Sequence, residues 1–262
     1  MQSPAPGSDR EVSEVDLALC RATLYNALAL GFRPPAKETL DRLIAQEGAE
    51  ALADAAAVLD ERLASAAQAL AHVRSRSLPE LSASFRRLFG HTARGPVPPY
   101  ETEYGQEVLF QQPQELADLA GFYRAFSLKL SPAEHERLDH ISCECEFLSF
   151  LALKEAYARE HYEEEKLLET RKAERLFLRD HLGRFGPVFG KKLGREDKDG
   201  FYGTLGELCQ KFIADECARL DVPAEPETLP LRTADTESIP MACSEGEECP
   251  LIPGDLSSKG LE

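Results

Sequence analysis

Several absences narrow the reading before any motif is considered. Basic charge is in deficit: 46 acidic against 30 basic side chains leave a formal net charge of -16 over 262 residues. Neutralising phosphates requires a basic field, so nucleic acid is not expected as a partner. No apolar run approaches the roughly 20 residues that cross a bilayer, so no integral membrane association is expected. The opening MQSPAPGSDREVSE has neither a basic n-region nor an apolar h-region, and a conventional secretory signal is not expected. P-loop, GxGxxG, HExxH and CxxC patterns are all missing, so no enzyme class stands out and no catalytic residue is assigned. Strand signals are almost absent as well: alternation is short and β-branched residues are few.

What remains is helical spacing, and the expected fold class is all-α. Periodicity predicts helices over residues 11–30, stopped by Gly31 and Pro34-Pro35, and over about 36–46. An Ala-rich helix is expected over about 49–75, with no Gly or Pro to break it. The run Ser77-Leu78-Pro79-Glu80 reads as a cap with proline in the first turn, opening a helix through Phe89. Beyond a loop at residues 90–105, helices are expected over about 113–129, from a capping box at residues 131–134 to about Ala158, and over 163–182. A short helix after Pro187 and a last one over 200–220 complete the bundle. The domain expectation is a flexible N-terminus (1–10), a helical domain (11–220) and an acidic, Pro-rich tail (221–262). That tail carries ten acidic and two basic residues, half of the formal charge.

Two segments stand out chemically. In HERLDHISCECEFLSF, apolar residues fall on several helical faces, so Asp139, His140, Glu144 and Glu146 sit at the end of a mostly buried helix. Buried polar groups need partners. In one reading Asp139 accepts a backbone N–H and His140 bonds Glu144 one turn away; in the other this end and the Pro-rich loop form a binding surface. In the loop, Pro98-Pro99 stiffens an extended segment that presents Tyr100 and Tyr104 with Glu101 and Glu103. Rings flanked by carboxylates suit a basic, partly apolar peptide, and equally a rigid connection whose tyrosines pack on the core. The seven cysteines read as buried thiols in a reducing compartment. Cys243 and Cys249 could clip the tail or bind metal with other partners. His140, Cys143 and Glu144 form a triple that helical surfaces offer by chance, so no metal site is assigned.

Together these segments resemble the TorD/DmsD/NarJ group of molybdoenzyme-assembly chaperones. The group's Pro-Pro-Tyr-Glu-Ser-x-Tyr motif falls on Pro98, Pro99, Tyr100, Glu101, Thr102, Glu103 and Tyr104, threonine replacing serine. Its Glu-Pro-Asp-His-Ile/Leu-x-x-Glu-Leu-x-Phe-Met motif follows about 35 residues later. There Asp139, His140, Glu144 and Phe147 are kept, the Glu-Pro start is lost to Arg137 and Leu138, and Cys145 replaces the inner leucine. A third trace, HLGRFGPVF from His181, resembles His-Leu-x-x-Trp-x-Pro-x-Phe with Phe185 for tryptophan, and FYGTLGEL from Phe201 also fits. The resemblance spans residues 12–220 and leaves the tail outside.

The resemblance implies a TorD-like, compact multi-helix bundle that is cytoplasmic and not an enzyme. Its partner would be the catalytic subunit of a molybdenum-containing oxidoreductase, bound through an N-terminal or twin-arginine signal region. It would assist cofactor insertion and delay export until assembly. No cofactor would be bound stoichiometrically, with transient contact to molybdopterin guanine dinucleotide and to cofactor-insertion machinery left open. The implied client-binding residues are Tyr100, Glu101, Tyr104, Asp139, His140, Glu144 and Phe147, supported by Pro98, Pro99, Glu146 and His181. Physically, Glu101 and Asp139 are expected to meet a guanidinium pair, while Tyr100, Tyr104 and the exposed end of the Phe147 helix take apolar side chains. Two other readings stay open: a metal-dependent regulator or enzyme built on His140, Glu144 and the cysteines, and a helical adaptor whose motifs only stabilise the fold.

Overall fold

The chain begins its ordered path at a cap. In a computed structural model, which describes residues 12–73, 77–90, 94–106, 111–129, 137–223 and 229–232, Ser13 and Asp16 bond each other's backbone N–H groups and open α1 (Glu14–Phe32). Arg33 leaves the helix at φ -75, ψ 163, the extended backbone that the following proline imposes. α1 has the length and mean hydropathy of a membrane span, the one such helix among the described residues. Its apolar surface is instead spent inside the protein: Leu24, Leu28 and Phe32 are fully buried, and Arg21 is buried against Glu155.

The expected helix over 36–46 is a short α2 (Lys37–Thr39) running into a π-helical turn at Leu40–Ile44. The expected helix over 49–75 is two helices, α3 (Gln46–Leu59) and α4 (Glu61–Ala69). Asp60 makes the break. It is extended at φ -162, ψ 136, and its carboxylate accepts the N–H of Arg62 at 2.7 Å. An N-cap side chain therefore ends one helix and starts the next without Gly or Pro. α5 (Leu78–Phe89) starts at the expected Ser77 cap and stops at Gly90, φ 94. α6 (Gln111–Ala125) ends earlier than its periodicity predicted.

α7 (Ile141–Glu160) is the central helix and departs most from expectation. It begins with His140 as its N-cap, so Arg137, Leu138 and Asp139 lie before the helix and not on its faces. The capping box at residues 131–134 lies outside the described residues. α8 (Glu164–Asp180) and α10 (Phe201–Arg219) match expectation, while α9 (Leu182–Glu196) is a full helix containing Pro187. The missing Pro187 N–H is outweighed by burial of Leu182, Phe185, Phe189 and Leu193 on one face.

α1 lies along α7, α8 covers the other side of α7, and α9 pairs with α10. The pairing of α9 and α10 depends on Gly190 and Gly206: a Cβ on Gly190 would sit 2.3 Å from the Gly206 carbonyl oxygen. One core runs through the whole bundle, and the described residues form one unit that ends at Arg232. The architecture is an all-helical, multi-helix bundle with isolated β-bridges and no strand among the described residues.

Candidate functional site

The three motif segments meet at one end of α7. Pro98-Pro99 is buried, and the chain runs on through an extended Tyr100 (φ -109, ψ 128) beside the start of α7. Tyr100 and His140 form an antiparallel bridge: Glu101 N–H donates to the Asp139 carbonyl and Ile141 N–H to the Pro99 carbonyl, both at 2.9 Å. The loop then makes a single 3-10 turn at Glu101–Glu103. Tyr104 anchors that turn, its hydroxyl donating to the Pro98 carbonyl at 2.9 Å and its ring packing on Phe185.

Asp139 ties loop to helix through its side chain. Fully buried, it accepts from Thr102 N–H at 3.2 Å and Thr102 Oγ1 at 2.7 Å, and from Arg137 Nε at 3.0 Å and Nη2 at 2.8 Å. The motif position shared by serine and threonine thereby acquires a reason: a hydroxyl that donates to the aspartate while accepting from Arg137 Nη2 at 2.7 Å. The Arg137 guanidinium also lies 4.4 Å over the Tyr100 ring, a cation–π contact.

His140 caps α7, with Nδ1 accepting from Ser142 N–H at 3.1 Å and lying 2.6 Å from Ser142 Oγ. Burial, followed by the charges of Arg33 and Arg137, lowers its pKa to about 3, so the imidazole is neutral. The expected bond from His140 to Glu144 is not formed. Glu144 is fully buried, and among the described residues neither of its carboxylate oxygens has a hydrogen-bond partner. Burial, then the nearby carboxylates Glu101 and Asp139, push its pKa well up.

His181, at the corner between α8 and α9, brings in the third segment. Its Nδ1 lies 3.0 Å from Glu101 Oε2 and its Nε2 3.2 Å from Asp118 Oδ2. Burial disfavours its charge, but the Glu101 hydrogen bond and the two flanking carboxylates outweigh that, and its pKa is raised. Burial raises Glu101 as well, against the pull of His181. His181 also faces the second carboxylate, Asp118, which favours its charged form. Over this pair opens a cleft of about 660 Å³ lined by Gln111, Gln114, Glu115, Asp118, His181 and Arg184, among others.

The structure thus gathers all the motif residues but presents few of them to solvent. Glu101, Tyr104, Asp139, His140, Glu144 and Phe147 are buried, and Tyr100 alone among the seven is half-exposed. Phe147 packs among Tyr123, Phe126 and Phe177 in the core, not at an open helix end. Glu146 is exposed and paired with Arg33 at 2.5 Å. No three His, Cys, Asp or Glu side chains converge as a metal site among the described residues; Cys243 and Cys249 lie outside them.

Sequence reasoning missed Arg137, Asp118, Glu115, Arg94 and Arg232. Arg232 had a signal, being one of two basic residues in the acidic C-terminal stretch. It reaches the loop, where Arg94 pairs with Glu103 at 2.6 Å and holds the Arg232 carbonyl at the same distance.

Comparison with known proteins adds the relationship. The chain is 28% identical over 215 residues to the perchlorate reductase assembly chaperone protein of Dechloromonas aromatica (strain RCB), covering 77% of this chain and 90% of that one. It is 34% identical over 106 residues to the selenate reductase assembly chaperone protein of Thauera selenatis, spanning 40% of this chain and only 52% of that relative. A crystal structure of a redox enzyme maturation protein from Archaeoglobus fulgidus aligns over 80% of this chain and 99% of that chain, at 20% identity and a TM-score of 0.43. The profile described as nitrate reductase delta subunit matches residues 45–190, more than half of the chain. The chain belongs to that family, the redox-enzyme-maturation chaperones of the TorD/DmsD/NarJ type.

Proposed function

We propose that this protein is a cytoplasmic, non-catalytic assembly chaperone that holds the N-terminal region of the catalytic subunit of a molybdenum-containing oxidoreductase. In this reading it keeps the subunit open for insertion of molybdopterin guanine dinucleotide, touching that cofactor transiently if at all, and delays export where the bound segment is a twin-arginine signal. Two relatives are assembly chaperones for perchlorate and selenate reductases, which favours an oxyanion-reducing client.

The observation that carries the reading is the convergence of the three motif segments beside an open cleft that sets Glu115, Asp118 and Asp180 among Arg179, His181 and Arg184. Glu144 has no partner among the described residues, Glu101 keeps one unbonded oxygen, and Asp118 is mostly exposed. Such a site favours a basic segment with apolar residues beyond it. The half-exposed Tyr100 and Asp118 make first contact, while Asp139, His140, Phe147 and Tyr104 hold the loop in shape. Glu101 supplies negative potential from beneath, while Glu144 is a buried, neutral carboxyl beside it. Steering by potential needs no exposure, because a buried charge is screened less than a surface one.

The test begins with recovery of the oxidoreductase subunit that co-purifies from the native cell, identified by mass spectrometry. Calorimetric titration with a synthetic peptide of its N-terminus should show at least about tenfold weaker binding to a Glu101→Gln, Asp139→Asn chain and to Tyr100→Ala, about 1.4 kcal/mol. Circular dichroism checks that each variant is folded. Unchanged affinity in both folded variants refutes the assignment.

A further inference from the structure

Residues 229–232 lie along the outer edge of the motif loop, joined to it by one antiparallel bridge and its flanking main-chain hydrogen bonds. Gly105 N–H donates to the Pro230 carbonyl at 2.8 Å, Arg232 N–H donates to the Glu103 carbonyl at 2.9 Å, and Leu231 bridges Tyr104 in antiparallel register. This is how an extended peptide joins an exposed edge: main-chain bonds that read no sequence, with a side-chain pocket that does.

The pocket takes the Arg232 side chain. Nη1 donates to the Thr102 carbonyl at 2.8 Å and to Glu115 Oε2 at 3.0 Å; Nη2 donates to Glu115 Oε1 at 3.1 Å; Nε donates to the Gln106 carbonyl at 3.2 Å. The guanidinium is 6% exposed and meets Glu115 as a two-pronged fork. Gly105, at φ +110, forms one wall, and a Cβ there would come within 3.3 Å of Nη2. An ammonium could not satisfy a planar set of one carboxylate and two carbonyls in this way, so the design selects arginine over lysine.

Everything in this pocket except its occupant belongs to the motif loop and α6. The occupant comes from a short strap, residues 229–232, past the end of α10, with Arg232 ten residues beyond Val222. We propose that the Thr102, Gln106 and Glu115 pocket is an arginine subsite of the client groove, filled in cis by the strap until an extended, arginine-bearing client segment displaces it. The inference rests on the client reading above and adds to it a defined subsite and a built-in competitor. A tethered competitor acts at an effective concentration of about millimolar, so it sets a threshold that weak, incidental peptides do not pass.

The test uses the full-length chain and fluorescence anisotropy, with a labelled synthetic peptide of residues 226–236 as probe. Arg232→Gln empties the pocket and should bind the probe at least about tenfold more tightly than wild type, because the tethered competitor is gone. Adding Glu115→Gln, or replacing the probe's arginine by lysine, should cancel that gain. Equal binding by wild type and Arg232→Gln, or a gain that survives Glu115→Gln, overturns the proposal. The N-terminal peptide of the co-purified oxidoreductase subunit separates the two ideas. If it binds wild type and Glu115→Gln alike, the subsite fails and the client reading stands. If no variant, Arg232→Gln included, binds it, the client reading itself fails.

Discussion

A carboxyl sealed from water with no donor beside it keeps its proton, and Glu144 is such a group. Its folded pKa is raised by burial and by Glu101 and Asp139, whereas in the unfolded chain it returns to about 4.3. A raised carboxyl favours the fold only while protonated in both states. Above the unfolded value its contribution to stability declines, until the folded group ionises too. Glu144→Gln should therefore melt close to wild type near pH 4, below the unfolded value, and above it by pH 8. The gap should be at least about 1.4 kcal/mol, the worth of a tenfold change in proton affinity, or roughly 2–4 °C for each kcal/mol at this chain length. Melting curves across that range decide it; a constant or reversed difference would count against a neutral Glu144. That Glu101, Asp139, His140, Glu144 and His181 come together was legible in the sequence. Their bonding was not. Helical spacing placed residues 139–144 on one helix and so paired His140 with Glu144, but the backbone of Asp139 bonds a loop 38 residues earlier. No local pattern encodes a bond over that separation.

Most element boundaries could be read from caps and breakers, and the failures share a cause. Asp60 carries no mark of a helix break beyond being an aspartate, yet it caps α4 and turns the chain by adopting extended backbone. Asp60→Ala should lower stability by about 1 kcal/mol, while Asp60→Asn, still a capping side chain, should cost a few tenths. Urea midpoints with an unchanged denaturant slope would show this; an alanine variant as stable as wild type would mean that the junction of α3 and α4 is held by packing alone. Pro187 misled in the opposite direction. Proline is a reliable breaker where nothing opposes it, but the apolar face of α9 holds the helix together around it. The offset start of α7 is a third case, where the backbone that could have extended the helix is committed to the loop. In each, tertiary bonding or burial overrode local propensity.

The whole bundle is registered by a second buried charge cluster, farther along α7 from its motif-bearing end. Glu155 of α7 is fully buried and receives Arg21 of α1 at 2.7 Å and Arg159 at 3.0 Å, with Arg171 of α8 and Arg219 of α10 within 3.8 Å. Arg219 in turn pairs with Glu174 and Glu216, whose carboxylate also accepts from Tyr25. Four helices thus share one anionic hub. Removing the hub strands several cations, whereas removing one spoke leaves the others. Glu155→Gln should cost about 3–5 kcal/mol, and Arg21→Met markedly less, because Glu155 keeps its other arginines. Urea unfolding measures both, and similar losses would argue against a hub. That α1 passes for a membrane span yet carries Arg21 is settled by this cluster. The strap at residues 229–232 has a consequence of a different kind, one of timing. Arg94 and Arg232 are 138 positions apart, and His181 and Glu101 are 80 apart. Closing such long loops is rewarded only after the helices between them have docked. During synthesis, Arg232 leaves the ribosome after every helix of the bundle. The motif loop therefore gains its outer bridge only when the helical body is complete, so that contact certifies that the chain has itself finished folding.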